Sequence, residues 1–170
     1  MKPNHPEELH AVIEISSHYG HVTYERDVST GAILVDHFLT TNMVYPCNYG
    51  YLQNTFSEFQ SPLDILVVTP TPVNRGAIVR CRPIGLLVME TEKGNQSKIL
   101  GVPVSQLTPL YDHVHQFYDL PQLLLDQIVH FFSYYQEGEE GKVKIDGWLE
   151  KESALQWLQE KETAVKTAVS

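Results

Sequence analysis

Asp64 stands immediately before the apolar run Ile65-Leu66-Val67-Val68 and follows the aromatic stretch Tyr45-Pro46-Cys47-Asn48-Tyr49-Gly50-Tyr51. Glu14 and Glu25 lie earlier, in segments that alternate apolar and polar residues, and Lys98 directly precedes another apolar run. Three acids of this kind, with His37 and Tyr49, are the groups that move protons in general acid–base chemistry on an organic substrate. An apolar residue such as Phe59 suits contact with an organic ligand. His18, His21 and His37 match no standard zinc spacing. Cys47 and Cys81 share neither a metal-site nor a CxxC spacing and read as reduced thiols of a cytoplasmic protein.

These residues need elements to hold them. Period-two alternation predicts short strands at Val12–Ile15, Val22–Glu25 and Ala32–Val35, separated by turn residues around Gly20 and Gly31. Further strands are predicted at Ile65–Thr69, Ala77–Arg82, Gly85–Met89 and Ile99–Val102. Prolines 70, 72, 83 and 103 should fall at strand ends, where a missing N–H is tolerated. From Leu120 to Gln136 the apolar spacing becomes helical, with Asp119 as the expected N-cap. A last helix is expected from about Glu150 to Val169, with Ala154, Leu155, Leu158, Val165 and Ala168 on its apolar side. Many short strands followed by helices indicate an α+β fold, a barrel with helices packed outside.

The 170 residues suit one domain, 1–170, with a substantial core. A formal net charge of −9 argues against nucleic-acid binding. There is no apolar segment long enough for a membrane span and no secretion-signal core, which points to the cytoplasm.

The stretch Tyr45–Tyr51 and the frame around Asp64 resemble the central signature of the family I soluble inorganic pyrophosphatases of bacteria. Gly31–Phe38, Val79–Gly85, Tyr111-Asp112-His113, Leu120-Pro121 and His130-Phe131-Phe132 carry the likeness from about Val12 to Trp148. The resemblance implies an OB-like barrel, closed or partly open, with two flanking helices. It also implies hydrolysis of pyrophosphate to two phosphates with Mg²⁺. Clustered carboxylates hold such hard cations, and paired metals turn a bridging water into a hydroxide nucleophile.

By the same resemblance Glu14, Glu25, Tyr45, Tyr49, Asp64, Lys98 and Tyr135 occupy active-site positions unchanged. The counterpart of Asp64 bridges metals, that of Glu14 supports the metal–water network, and the tyrosines and lysine meet phosphate oxygens. The departures are as numerous. Phe59, Gln96 and Thr91 stand at metal-site aspartates, and Ser61 at the aspartate that takes the nucleophile's proton. Thr23 and Gln136 stand at phosphate-binding lysines, and His37 at an arginine. Asp64 is thus expected as the remnant of a metal cluster, with no cofactor held tightly. The sequence reads as a homologue without diphosphatase activity that acts as a binding or regulatory protein and holds a small molecule in the former cavity. Residual Mg²⁺-dependent hydrolysis and metal-independent chemistry in the same cavity stay open as alternatives. The resemblance further implies a homo-oligomer, a trimer or hexamer, with His130 in the subunit contact and Tyr134 where some members carry histidine.

Overall fold

The computed structural model describes residues 7–19, 21–38, 43–53, 62–135 and 142–169, with side chains of the last helix to residue 162. The strands are β1 (Leu9–Ile15), β2 (Val22–Arg26), β3 (Ile33–Phe38), β4 (Asn48–Leu52), β5 (Asp64–Val67), β6 (Ile78–Thr91), β7 (Gly94–Asn95), β8 (Lys98–Pro103) and β9 (Lys144–Glu150). Two α-helices, α1 (Gln122–Tyr134) and α2 (Lys151–Val169), complete the fold. Strands pair in the order β1-β4-β5-β8-β6, and β1 also pairs β6, which closes the sheet into a ring. That is the OB-like barrel with two helices. β9 and the short β7 extend the C-terminal half of β6, and β2–β3 forms a separate hairpin.

Alternation along the strands feeds two apolar clusters. Ile65, Ile99 and Leu86 belong to one, which α2 joins through Ala154 and Leu158. Their neighbours Leu66, Leu100 and Leu87 belong to the other, which α1 joins through Leu125, Ile128, Phe131 and Phe132. No helix among the described residues is long and apolar enough to cross a membrane.

The structure departs from the sequence pattern at three places. Ala77–Arg82 and Gly85–Met89 are one strand, β6, running through Pro83. Pro83 falls where one flank of β6 passes from β1, paired as far as Cys81, to β9, paired from Gly85, and where the register with β8 slips. A residue without an N–H is tolerated at such a discontinuity. Asp119 does not cap α1, whose N-cap is Pro121. Its carboxylate instead accepts from the His115 and Gln116 amides, which holds its pKa below the usual range. Strands β4 and β9 lie in stretches whose tyrosines, glycines and charges obscure period two.

Candidate functional site

β4 carries much of the signature, and its residues hold structural posts. Asn48 is fully buried. Its side-chain oxygen accepts from the Ser17 and Val73 amides at 3.0 and 3.1 Å, and its amide group donates to the Val67 carbonyl at 2.9 Å and to Thr69 Oγ1 at 2.7 Å. All four bonds the group can make are satisfied, so one side chain pins β1, β4 and β5 together. Gly50 lies so close to β1 that a Cβ would stand 1.9 Å from the Val12 carbonyl oxygen. Burial pushes the thiols of Cys47 and Cys81 up to about 12, so both stay protonated and unreactive.

Tyr49 and Tyr51 project to the side of β4 that also carries Asp64 from β5, since Tyr51 pairs Asp64 and Tyr49 pairs Leu66. Lys98, at the start of β8, extends beside Asp64, and its Nζ donates to Asp64 Oδ2 at 2.8 Å. The lysine side chain is 4% exposed. Its ammonium also lies 5.1 Å from the Tyr49 ring centre and 5.3 Å from that of Phe132.

Glu14 reaches the same place from β1. Ile13 pairs Gly50 and Ile15 pairs Tyr49, so Glu14 is the extra residue of a bulge, a device that re-aims a side chain. Burial, then the charges of Asp64 and Glu25, raise its carboxyl pKa from 4.5 to about 8, against the opposing pull of Lys98 and Arg26. Glu14 is therefore largely protonated at neutral pH. Glu25, on β2, is exposed.

α1 closes one wall. Tyr45 packs 4.3 Å from Phe131 and 5.7 Å from Tyr49, and Tyr135 stacks on Phe131 at 4.8 Å. Burial and then the neighbouring acids raise the Tyr45 and Tyr49 hydroxyls well above their ordinary pKa. Glu14, Tyr45, Tyr49, Asp64, Lys98 and Tyr135 thus lie at one end of the barrel.

Of the positions that the sequence reads as substituted, Phe59, Ser61 and Gln136 lie outside the described residues. Thr23 and His37 are cross-strand partners in the β2–β3 hairpin. The buried Thr23 hydroxyl donates to Asp36 Oδ2 at 3.0 Å and accepts from the His37 amide at 3.2 Å. His37 Nδ1 faces the same Asp36 oxygen at 2.7 Å, and since a carboxylate only accepts, that nitrogen carries the hydrogen. Nδ1 also faces Thr23 Oγ1 at 2.9 Å, so the imidazole does not bridge hydroxyl and carboxylate through opposite nitrogens as a nucleophile relay needs. Thr91 accepts from the Lys93 amide at 3.2 Å in the turn from β6 to β7, and Gln96 follows β7, half-buried. Among the described residues no group of three or more His, Cys, Asp or Glu side chains is arranged to hold a metal ion.

A sequence profile for inorganic pyrophosphatase matches residues 11–166. The chain belongs to the inorganic pyrophosphatase family. It is 50% identical over 144 residues to the inorganic pyrophosphatase of Yersinia pestis, covering 84% of this chain and 82% of that one. It is 47% identical over 150 residues to that of Escherichia coli K12, with 88% and 85% covered. Among solved structures, an Anaplasma phagocytophilum protein described as an inorganic phosphatase superposes with a TM-score of 0.91 at 40% identity, over 97% of each chain. The inorganic pyrophosphatase of Helicobacter pylori superposes with a TM-score of 0.90 at 35% identity, over 98% of each. The residues matched by the profile include the barrel strands, the hairpin and both helices.

The sequence pattern did not reveal Arg26. At the end of β2 its Nη1 donates to Tyr51 Oη at 2.9 Å, tying hairpin to barrel, and its charge is felt at Glu14. An arginine in an exposed hairpin gives no signal until the pairing brings β2 over β4. Asp36 was equally hidden, an acid between Val35 and His37 whose role appears only when its strand meets Thr23.

Proposed function

We propose that this member of the inorganic pyrophosphatase family does not hydrolyse pyrophosphate and serves in the cytoplasm as a binding or regulatory protein, taking a small molecule at the barrel end where Glu14, Asp64 and Lys98 meet. The observation that carries this reading is the donor set. Mg²⁺ keeps its waters reluctantly shed and is held by carboxylates. Here Asp64 is ion-paired with Lys98, Glu14 is largely protonated near neutrality, and the family's other acidic positions read Phe59, Ser61, Thr91 and Gln96. This set does not fit a pair of Mg²⁺ ions, and no cofactor is expected to bind tightly. On the substrate side, the positions of a lysine and an arginine are occupied by Thr23 and His37, both engaged with Asp36. Gln136 removes a further cation. Loss of one catalytic group commonly costs about 10²–10⁴ in rate, and losses that abolish the metal site abolish the nucleophile itself.

The test is phosphate release from pyrophosphate with Mg²⁺ or Mn²⁺, at high protein concentration, alongside an active bacterial relative. No release above background is expected. A second reading, a residual diphosphatase, is favoured by the 50% identity to a relative named inorganic pyrophosphatase. It requires metal-dependent turnover that Asp64→Ala abolishes, and such turnover would overturn the first reading. The quadruple variant Phe59→Asp, Ser61→Asp, Thr91→Asp, Gln96→Asp should restore Mg²⁺ binding.

The same reading includes self-association. Leu123, His130 and Tyr134 lie seven and then four residues apart on one exposed face of α1, with the His130 and Tyr134 rings 4.9 Å apart. Sedimentation velocity should report a trimer or hexamer. A monomer at micromolar concentration would reject it.

A further inference from the structure

We propose that the β2–β3 hairpin is a hinged lid over the Asp64–Lys98 ion pair, latched shut by Arg26 and Arg75. This rests on the reading that a small molecule is taken at the barrel end.

The need for a lid lies in burial. The Lys98 side chain is 4% exposed, and the buried Phe132 of α1 lies against its ammonium at 5.3 Å. A molecule that meets Lys98 enters only if some element moves aside. The barrel strands are joined edge to edge, and α1 sinks Leu125, Ile128, Phe131 and Phe132 into the core. The hairpin is joined differently. β2 and β3 pair with each other and, among the described strands, with no other.

Side chains tie the hairpin down instead. Arg26 Nη1 donates to Tyr51 Oη at 2.9 Å. Tyr51 pairs Asp64, and Lys98 bonds Asp64 from the next strand, so the three stand in a row across β4, β5 and β8. Arg26 grips the first of that row. Arg75, in the loop before β6, lies 3.9 Å over the Tyr24 ring. Tyr24 packs in turn against the core cluster that holds Tyr45 and Phe132. Ile33 meets the same loop, since a Cβ at Gly76 would lie 3.9 Å from its Cδ1. One latch is thus an arginine of the lid holding the barrel, and the other an arginine of the barrel holding the lid.

The hinge lies at the entry to β2. The His18 amide donates to the Tyr45 carbonyl at 2.7 Å, and the Tyr45 amide to the Tyr19 carbonyl at 3.3 Å, which fixes the chain to the barrel as far as Tyr19. His21, directly before β2, has a φ of 80°, a conformation that residues with a side chain rarely adopt. Hinges are a few loop residues of this kind, which absorb a change in backbone angles while the elements on either side stay rigid.

Amine acylation of the full chain with acetic anhydride, read residue by residue by mass spectrometry, tests this without reference to hydrolysis. Lys144, 72% exposed, sets the open rate. In wild type Lys98 should react far more slowly than Lys144. Urea below the unfolding transition should hardly change that rate, because a swinging lid exposes little new surface. Arg26→Met and Arg75→Met should each speed Lys98 about fivefold, the effect of losing one modest contact. Tyr51→Phe should match Arg26→Met, and combining the two should add nothing, since they share one bond. Should Arg26→Met fail to fold, Tyr51→Phe decides, breaking the same bond by one atom. A Lys98 rate that climbs steeply with urea in wild type would mean that the ion pair is reached by unfolding, and overturns the proposal. So do Tyr51→Phe and Arg75→Met proteins whose Lys98 reacts as in wild type. Phosphate release by a protein whose labelling follows the expected pattern would reject the silent-enzyme reading and leave the lid standing.

Discussion

The barrel end and the rim around it hold their side chains differently. On the barrel, Tyr45, Tyr49, Asp64 and Lys98 are each built into the fold. Tyr45 is 2% exposed among the α1 aromatics, and Lys98 and Asp64 satisfy one another. On the hairpin and the β6–β7 turn lie Thr23, His37, Thr91 and Gln96. The side chains there are locally satisfied: Thr23, Asp36 and His37 bond among themselves, and Thr91 closes its own turn. The barrel end is thus held by buried groups that meet across strands, and the rim by short-range bonds of its own.

The largest effect expected from breaking this contrast is at Asp64. Asp64→Ala strands a buried ammonium, and removing one partner of a buried pair costs roughly 3–5 kcal/mol. Urea denaturation should show that loss in metal-free buffer. A variant as stable as wild type would mean that Asp64 has no structural duty.

Glu14 should move stability the other way, and with pH. Its carboxyl pKa in the folded chain is about 8 against 4.5 unfolded. Between those values the native state holds a proton that the unfolded state lacks. The stability this contributes is fully present below about 4.5 and is lost as pH rises through 8. Glu14→Gln fixes the neutral form. It should leave stability unchanged near the acid end of that window and raise it by roughly 4 kcal/mol at its alkaline end, one pKa unit being worth about 1.4 kcal/mol. Equal differences between variant and wild type at both ends would show that the carboxyl is not raised.

Much of this architecture was legible in the sequence. Period two located β1, β2, β3, β5 and β8, and the helical spacing located both helices, because those segments have one apolar face each. β4 was legible as a motif and not as a strand. Its posts, the Asn48 pin and the close approach at Gly50, depend on partners up to 38 residues away, Val12 for Gly50 and Val73 for Asn48. Pro83 concealed the unity of β6, since only the change of neighbour from β1 to β9 makes a proline acceptable there. For the site, residue types gave the members of the cluster and no more. That Asp64 is neutralised by Lys98, that Glu14 sits on a bulge, and that Arg26 crosses from hairpin to barrel are facts of pairing. None of them lies within a local window.

The smallest effect tests the rim. Thr23→Val keeps the shape and β-branching that suit a strand. It removes a buried hydroxyl that donates to Asp36 and accepts from the His37 amide. Asp36 keeps His37 Nδ1 as a donor and is itself half open to water, so the carboxylate is not stranded as Lys98 would be. The amide of His37 loses its acceptor, and the net loss of such a bond is about 1 kcal/mol. Denaturation should therefore place Thr23→Val well above Asp64→Ala in stability. If the two variants lose equal amounts, the hairpin is as deeply built into the fold as the barrel end. The contrast between a deeply built barrel end and a locally bonded rim would then have no energetic basis.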